Sequence, residues 1–525
     1  MSVVSGSVFC QFFLALGLAF SHAWGGSVLR RLCFPFIRAF RAVSAVWKRW
    51  WHGSALVRFF FEHEGALPRA WPESFCCRAL SLLVNLPVAV LHWIYVKLRP
   101  WFEGSALCPF IFGLGEQVPV ALGWLMLLVM NIDYAKWSNS YSFLGLVLLL
   151  LMFLAGGMRR RSLRLDVAGA GLYPAVFFLA VCLSWPMSLY PALSGRYLVY
   201  HVTCALCVVL TVSAVETAGQ LERLACFGCL GMAGAAAWGI VQRFQGVAVI
   251  RAYVDIRLNP DMPGRVYSFF NNPNAFAEML VMLIPVGGAL FLGSGKRSFR
   301  MIGLLSAGLG TVALVMTYSR ASWIGLVAAA VVFLFFWNRK LIPVLAVLGL
   351  ACLPLLPGAV LQRIQTIFNL NDTSTSSRLP LMEAGLRIIK AHPILGAGLG
   401  GDAVRQASMD MAAYSVGYSV LTHAHNIYIQ LWLENGLLGI AAFAAGCWHA
   451  LKEGVGVFQR EGVPRSTRFI VLGAASALAG SLVSGLADYL FNYPRVMLIF
   501  WFSVSLLMAG VKLARRGGRT VRTNA

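Results

Sequence analysis

Long apolar segments recur along this sequence, and they constrain its fold more than any other feature. A helix needs about 17 to 25 mostly apolar residues to cross a hydrocarbon core about 30 Å thick. The runs that approach or reach this length are residues 106–132, 141–157, 166–187, 192–215, 224–244, 273–292, 301–317, 321–337, 341–357, 426–447, 468–488 and 494–513. Because 59% of the residues are hydrophobic and only 12% are charged, the composition is not that of a soluble domain. The sequence therefore predicts an all-α, polytopic transmembrane helical bundle of about twelve spans.

The basic residues predict how this bundle is oriented. The formal net charge is +23, but Lys and Arg lie in short loops beside helix ends and not in one soluble domain, so we expect no nucleic-acid partner. They concentrate in "MRRRSLRL", "GSGKRSFR", "NRK", "KEGVGVFQREGVPRSTR" and "KLARRGGRTVR", which follow alternate spans. The positive-inside rule places such loops in the cytoplasm. The two long loops, 245–272 and 358–425, are then extracytoplasmic, and the second has the pattern of a loop carrying short amphipathic helices.

Three regions follow from this pattern. Residues 1–104 mix Arg and Lys with Trp and Phe at helical spacing, which is typical of amphipathic helices lying in an anionic membrane interface on the cytoplasmic side. Two apolar runs there, 8–22 and 79–97, are long enough to cross marginally, but crossing would move many basic residues outside, against the charge rule. Residues 105–515 form the transmembrane body, including the 358–425 loop, and 516–525 form a basic cytoplasmic tail.

Cysteine spacing offers a weak metal signal. "CALC" (Cys204, Cys207) and "CFGC" (Cys226, Cys229) lie in or beside apolar spans, where cysteine commonly serves as a small core residue. No glycine-rich nucleotide loop follows a strand pattern. We therefore expect neither a metal nor a cofactor.

Polar residues cluster against the membrane at four places, all on the predicted outer side. The first is "GRVYSFFNNPNAFAEML", in which Asn271, Asn272 and Asn274 surround Pro273 at the start of a span. Asparagine and proline favour turns and helix starts, so these residues are explained either as a helix cap or as substrate contacts, with Asn274 the candidate for binding.

The second cluster is "MTYSRASWIGL", where Ser319 and Arg320 stand between two spans. An arginine at a helix N-terminus combines a permanent charge with unpaired backbone N–H groups, which suits phosphate. The alternative is an interfacial arginine whose charged head reaches water. Most Lys and Arg residues lie in the predicted cytoplasmic loops, whereas Arg320 lies on the predicted outer side. This exception favours a functional role for Arg320.

The third cluster is "NDTSTSSRLPLMEAGLRIIKAHPILGAGLGG". Its middle has the spacing of a short amphipathic helix on the membrane surface, and Arg378 precedes that helix as either a phosphate ligand or a solvated loop charge. The turn "LGAGLGG" lacks the strand of a dinucleotide-binding fingerprint, so it predicts a flexible lid or a close-packing turn.

The fourth cluster is "LTHAHNIYIQLWLENGLLGI". His423 and His425 precede Asn426, which can cap the following span, and Glu434 lies further along that span together with Gln430. Polar groups in a membrane helix are costly and indicate function. His-x-His-x8-Glu does not place three ligands on one helical face as a zinc site would. A histidine that titrates near neutral pH suits a general base instead.

Taken in order, these segments resemble the O-antigen ligase family. His425-Asn426, then nine residues, then Gly436-x-x-Gly439 is similar to the family's signature. "SRASW", "SSRLPLMEAGLRIIKAHPILGAGLG" and "FNNPNAFAEML" resemble its other segments, and the resemblance spans about residues 105–515.

The resemblance implies an inner-membrane glycosyltransferase that takes a glycan from an undecaprenyl-pyrophosphate carrier and joins it en bloc to an acceptor, classically the lipid A core. By residue, it implies His425 as the catalytic histidine and Arg320 and Arg378 as the arginines of the site. Asn274, His423, Asn426 and Glu434 are the expected substrate contacts, and the resemblance implies no metal. The expected partners are the lipid-linked donor, a lipid or other envelope acceptor, and membrane lipids.

Three alternatives stay open from the sequence. A glycan polymerase would use the same donor with a second carrier-linked chain as acceptor, and a protein O-glycosylase would accept a hydroxyl side chain. A secondary transporter would also need about twelve spans, but it would carry polar residues near mid-membrane in two related halves. Here the polar clusters gather at one surface, which favours the enzyme.

Overall fold

The computed structural model describes residues 65–250, 262–367, 378–411 and 420–523, with six single positions nearer the N-terminus, and side chains up to Arg516. The apolar run 8–22 and most of the basic, aromatic segment before residue 65 lie outside the described residues. Contacts divide the chain into two units, residues 1–69 and 70–525. The second unit contains the helical bundle.

The bundle is built from helices joined by loops, and the described residues include no strand. The α-helices are α1 (Ala66–Ala70), α2 (Phe75–Lys97), α3 (Arg99–Gly104), α4 (Leu107–Gly113), α5 (Val118–Asn131), α6 (Asn139–Arg159), α7 (Val167–Ala170), α8 (Leu172–Ser184), α9 (Pro191–Ala214), α10 (Ala218–Gln245), α11 (Pro273–Gly293), α12 (Arg297–Met316), α13 (Arg320–Asn338), α14 (Leu341–Cys352), α15 (Gly358–Gln365), α16 (Arg378–Ala391), α17 (Gly400–Asp410), α18 (Ile427–Gln459), α19 (Arg465–Ser484) and α20 (Pro494–Thr523). Short 3₁₀ turns lie at Trp71–Glu73, Leu114–Gln117, Leu353–Leu355 and Leu490–Asn492.

The predicted polytopic helical bundle is confirmed, since 11 helical segments in the described chain are long and apolar enough to span a membrane. Ten of them coincide with apolar runs of the sequence, and the eleventh is α2. The runs 166–187 and 341–357 form shorter helices, α8 and α14. The first of these runs is broken because Asp166 caps the four-residue helix α7 and Gly171, at φ 85°, ends it.

The most buried helices are α11 and α20, in which 83% and 89% of the apolar stretch is enclosed by the rest of the protein. Helix α11 begins where Asn272 accepts a hydrogen bond from the backbone N–H of Asn274, with Pro273 at the first helical position. Because α11 lies at the centre of the bundle, its first turn brings Asn274 to the middle of one end.

The loops sort into two groups by their contacts. At one end, Arg495 donates hydrogen bonds to the carbonyls of Ile132 and Phe269, and the Ser188 hydroxyl donates to that of Ala397. We call this the site end. At the other, which we call the basic end, Lys512 donates to the carbonyl of Val212.

Also at the basic end, Arg516 pairs with Asp166 at 3.3 Å. This grouping of loops agrees with the alternation predicted from the charge pattern. Which end faces the cytoplasm stays a prediction.

The cysteines of the two spaced pairs lie inside helices. Cys204 and Cys207 are buried in α9, and Cys226 and Cys229 are buried in α10. Their thiols contribute to the apolar core that α9, α10 and α20 share.

Candidate active site

A small cavity at the site end is lined by side chains from four separate parts of the sequence. Its volume is about 30 Å³, and its walls are Arg265, Asn274, Tyr318, Ser319, Arg320, Ala321, Arg363 and Arg378. Four of these eight residues are arginines. The structure thus brings together three residues selected from the sequence, Asn274, Arg320 and Arg378, and adds two arginines that were not selected.

The two expected arginines each stand at the start of a helix. Arg320 is the first residue of α13 and donates a hydrogen bond to the carbonyl of Thr366 at 2.5 Å. Arg378 is the first residue of α16 and donates to the carbonyl of Ala487 at 2.6 Å. At these positions each guanidinium lies beside the positive end of a helix dipole, which favours an anionic ligand.

The two further arginines are more deeply buried. Arg265 is 7% exposed and Arg363 is 3% exposed. Arg265 Nε donates to the Thr317 carbonyl at 2.7 Å, and Arg363 Nε donates to the Tyr318 carbonyl at 3.3 Å. Both could have been found from the sequence by the argument that selected Arg320, because both are basic residues in loops of the predicted outer side.

The pKa of Arg265 reflects the crowding of positive charge around the cavity. Burial, together with the neighbouring guanidinium groups of Arg363 and Arg378, lowers the pKa of Arg265 to about 9. Arg265 also donates to the side-chain oxygen of Asn274, which explains why an asparagine at this position lines the cavity. An anionic ligand would relieve the repulsion among the four cations.

His425 lies next to this cavity and contacts a carboxylate that sequence reasoning missed. Its Nδ1 faces Oδ1 of Asp488 at 3.4 Å, and Oδ2 of Asp488 is 4.0 Å from Arg378. Asp488 belongs to the loop between α19 and α20, far from His425 in the sequence. The only signal for it was an acidic residue at the outer end of a span, in "ADYLFNYP".

Opposing effects act on the Asp488 carboxyl. Its burial alone would raise the pKa, but the hydrogen bond from His425 and the charge of Arg378 hold the pKa of Asp488 well below its usual range. The residue is therefore an anion at neutral pH. An ionised carboxylate facing Nδ1 fixes the histidine tautomer with the proton on Nδ1 and the lone pair on Nε2.

The ring of His423 lies beside that of His425, with ring centroids 4.0 Å apart and an angle of 48° between the ring planes. Burial and the adjacent His425 lower the pKa of His423 to about 4. His423 is thus neutral at pH 7 and presents one donor and one acceptor. Asn426 caps α18 by accepting from the backbone N–H groups of Tyr428 and Ile429, so its side-chain oxygen is engaged in the fold.

Glu434, one of the expected substrate contacts, lies inside the protein. It is 1% exposed and accepts hydrogen bonds from Gln430 at 2.7 Å and from the Tyr489 hydroxyl at 3.0 Å. Gln430 in turn accepts from the backbone N–H of Ala424. Since Ala424 and Tyr489 directly adjoin His425 and Asp488, this network holds both sides of the histidine–aspartate pair.

Backbone conformation at the site is also unusual. Within the described residues, the non-glycine residues with positive φ are Ser268 (54°), Tyr318 (52°) and His425 (47°). Tyr318 lines the cavity and His425 adjoins it. Such left-handed conformations cost about 1–2 kcal/mol per residue and concentrate at functional sites, where the surrounding fold enforces them.

The glycine turn that follows α16 is a close-packing element. Gly396, Gly398 and Gly400 have φ of 76°, 125° and 83°, and a Cβ on Gly398 or Gly400 would collide with Ser188 or Tyr197. Of the two predicted roles, a lid or a packing turn, the geometry favours packing.

Gly436, the first glycine of the signature spacing, bends α18 at φ 63°. A Cβ there would meet the backbone oxygen of Ile394. Because Gly436 has no side chain, the chain after α16 can pack against the bend in α18. This contact holds in place the segment that carries Arg378.

These groups can perform two chemical tasks side by side. Four guanidiniums around a small cavity can bind and stabilise a phosphate or pyrophosphate by charge-assisted hydrogen bonds. A histidine held by a carboxylate can remove a proton from a hydroxyl. In the described part of the chain, no three His, Cys, Asp or Glu side chains form a metal-binding group.

Residues 305–444 match the family model described as O-Antigen ligase. The matched segment contains Arg320, Arg363, Arg378 and His425, whereas Arg265 and Asp488 lie outside it. No curated protein matches the chain. In this multi-pass membrane protein, the segment from residue 305 to residue 444 is therefore similar to the O-antigen ligase family.

Proposed function

We propose that this protein transfers a glycan en bloc from undecaprenyl pyrophosphate to a hydroxyl group of an acceptor, the lipid A core or another envelope molecule. The reaction takes place on the extracytoplasmic face of the bacterial inner membrane. The observation that carries the proposal is the arginine-lined cavity beside the His425–Asp488 pair. This arrangement supplies a pyrophosphate site and a general base that are linked through Asp488, which lies 4.0 Å from Arg378 and 3.4 Å from His425.

The donor's pyrophosphate occupies the arginine cavity in this proposal. The glycosidic bond to the pyrophosphate breaks with its electron pair passing to the phosphate oxygen, so negative charge grows on the leaving group. Fixed guanidiniums of Arg320 and Arg378, with Arg265 and Arg363 behind them, stabilise that charge where it develops. Because the cationic groups are already positioned by backbone carbonyls, little reorganisation accompanies the step.

His425 is the general base. Its Nε2 lone pair takes the proton of the acceptor hydroxyl while that oxygen attacks the anomeric carbon from the face opposite the leaving pyrophosphate, so the configuration inverts. Asp488 stabilises the imidazolium that results. A positioned base of this kind typically contributes about 10²- to 10⁴-fold to the rate.

The other selected residues have supporting roles in this reaction. His423, neutral beside His425, contacts substrate through hydrogen bonds, and Asn274 positions Arg265. Asn426 and Glu434 act through the fold, as the cap of α18 and as the centre of the network around Tyr489. Helix α16, with Glu383 exposed on it, covers the lipid-linked sugar and excludes water.

Two further functions use the same donor. A polymerase would join the glycan to a second carrier-linked chain, and a protein O-glycosylase would join it to a side-chain hydroxyl. A secondary transporter is less consistent with the site, because the arginines and His425 gather at one end of the bundle and not at its middle.

The product of the reaction distinguishes these functions. Purified protein is incubated with undecaprenyl-pyrophosphate glycan and, separately, with lipid A core, a hydroxyl-bearing peptide, or no added acceptor. Our proposal predicts glycan-capped acceptor with the free carrier pyrophosphate released. A ladder of lengthening chains on the carrier would instead identify a polymerase, and no cleavage of the donor under any condition would refute the transferase.

A further inference from the structure

A second, much larger cavity lies at the basic end, between helix α2 and the loop that joins α6 to α7. Its volume is about 1090 Å³. It shares no lining residue with the arginine cavity of the site end. The two cavities are therefore separate sites on the protein.

The walls of this cavity are of two kinds. One wall is apolar and is formed by α2, including Leu82, Leu86 and Trp93, which are 73%, 57% and 62% exposed. The other wall is basic and carries the guanidinium groups of Arg78, Arg161, Arg164 and Arg516. A ligand that satisfies both walls needs an anionic head and an apolar chain.

Positive charge dominates the basic wall. Among the described residues that line the cavity, four are arginines and one, Asp166, is acidic. Asp166 pairs with Arg516 at 3.3 Å and also accepts a hydrogen bond from the backbone N–H of Gly169. Arg161 and Arg164 are both exposed, and Arg164 Nε donates to the carbonyl of Arg161, so their charges lie at the cavity mouth.

Helix α2 is attached to the bundle by a few polar contacts. Asn85 donates to the carbonyl of Leu165 at 3.0 Å and accepts from its N–H at 2.8 Å. His92 Nδ1 lies 2.7 Å from the carbonyl of Met158. Only Cys77, Val88 and Tyr95 are buried on this 23-residue helix. These contacts fix the helix beside the bundle while leaving the space next to it open.

We propose that this cavity binds an anionic glycerophospholipid from the membrane leaflet at the basic end. The lipid phosphate contacts Arg161 and Arg164 with Arg78 and Arg516 nearby, and an acyl chain lies along Leu82, Leu86 and Trp93. Charge-assisted hydrogen bonds give the arginines their affinity for phosphate. Basic residues between helices at a membrane surface commonly select anionic head groups.

The test measures lipid binding to the purified full-length protein by native mass spectrometry. Phosphatidylglycerol and phosphatidylcholine with identical acyl chains are titrated into the wild type. We expect phosphatidylglycerol to bind at least tenfold more tightly. Each basic residue at an anionic surface strengthens association about fivefold, so R161Q/R164Q should weaken phosphatidylglycerol binding by about 25-fold.

A matched control separates this site from general attraction to basic loops. Arg297 and Arg300 are exposed at the same end and do not line the cavity, so R297Q/R300Q should keep wild-type affinity. L82S/L86S tests the apolar wall and should weaken the phospholipid without affecting folding. Equal binding of the two lipids, or equal loss in both arginine double variants, would overturn the proposal. Displacement of the lipid by excess inorganic phosphate would also overturn it, because it would reduce the site to a simple anion site.

Discussion

At the scale of single residues, the site joins charges that the sequence places far apart. His425 and Asp488 meet at 3.4 Å across 62 intervening residues. The sequence indicated His425, Arg320 and Arg378, because each is polar at the predicted outer end of a span. It did not indicate Asp488, since an acidic residue near a span end is common and only the packing of the α19–α20 loop against α18 brings it to the histidine.

Replacing Asp488 tests whether it orients the histidine. The D488N variant keeps the size of the side chain but removes the charge that fixes the Nδ1 proton. We expect the rate of glycan transfer to fall by about 10²- to 10⁴-fold with little change in donor KM. D402N is the control, because Asp402 pairs with Arg196 on an exposed surface. Wild-type transfer by D488N would remove Asp488 from the mechanism.

Replacing Arg363 tests the inner part of the arginine cavity. Arg363 is 3% exposed, and R363Q keeps polar contacts while removing one positive charge from the pyrophosphate site. A buried hydrogen-bonded charge of this kind contributes about 2–5 kcal/mol when its partner is charged, so kcat/KM for the donor should fall at least thirtyfold. Arg387 is exposed on α16, so the control variant R387Q should have the wild-type kcat/KM for the donor.

At the scale of elements, helices were predictable and their interruptions were not. Apolar length predicted the span from residue 426, and Asn426 predicted its start. The bend at Gly436 depends on the loop after α16 packing against α18. The sequence shows that a glycine lies at this position, but it does not show which part of the chain packs against that glycine. The same holds for Gly171, which divides the run 166–187.

The bend in α18 can be tested by adding a methyl group. G436A forces an alanine into φ 63° and directs its Cβ at the backbone of Ile394. We expect a loss of stability of more than about 1 kcal/mol, measured as a lower melting temperature in detergent. G456A lies on the same helix with open space around it and should melt at or above the wild-type temperature. Equal melting of both variants would contradict the packing role of Gly436.

At the scale of the whole molecule, the sorting of loops to two ends followed from the charge pattern. The seven site residues lie at one end, in loops or first turns except for Arg363, which lies in the last turn of the short helix α15. The other six are Arg265, Asn274, Arg320, Arg378, His425 and Asp488. The alternation of basic loops along the sequence was enough to predict that these loops lie at the same end of the bundle. The arginine cavity itself required the tertiary fold, because its walls come from four stretches of chain.

The orientation of the bundle in the membrane is testable by labelling. Single cysteines are introduced at Asp402, exposed at the site end, and at Gly295, which has open space at the basic end, in a background whose native cysteines are replaced. A membrane-impermeant maleimide should label D402C in intact cells and G295C only after permeabilisation. The reverse pattern would place the arginine cavity in the cytoplasm and contradict the proposed reaction face.

The central claim is that His425 removes the acceptor proton during glycan transfer. The direct measurement is the single-turnover rate of product formation from undecaprenyl-pyrophosphate glycan, compared between the wild type and H425A with equal melting temperatures and equal donor binding. We predict that H425A binds the donor but forms product at least about 100-fold more slowly. Folded H425A that transfers glycan at the wild-type rate would contradict the mechanism.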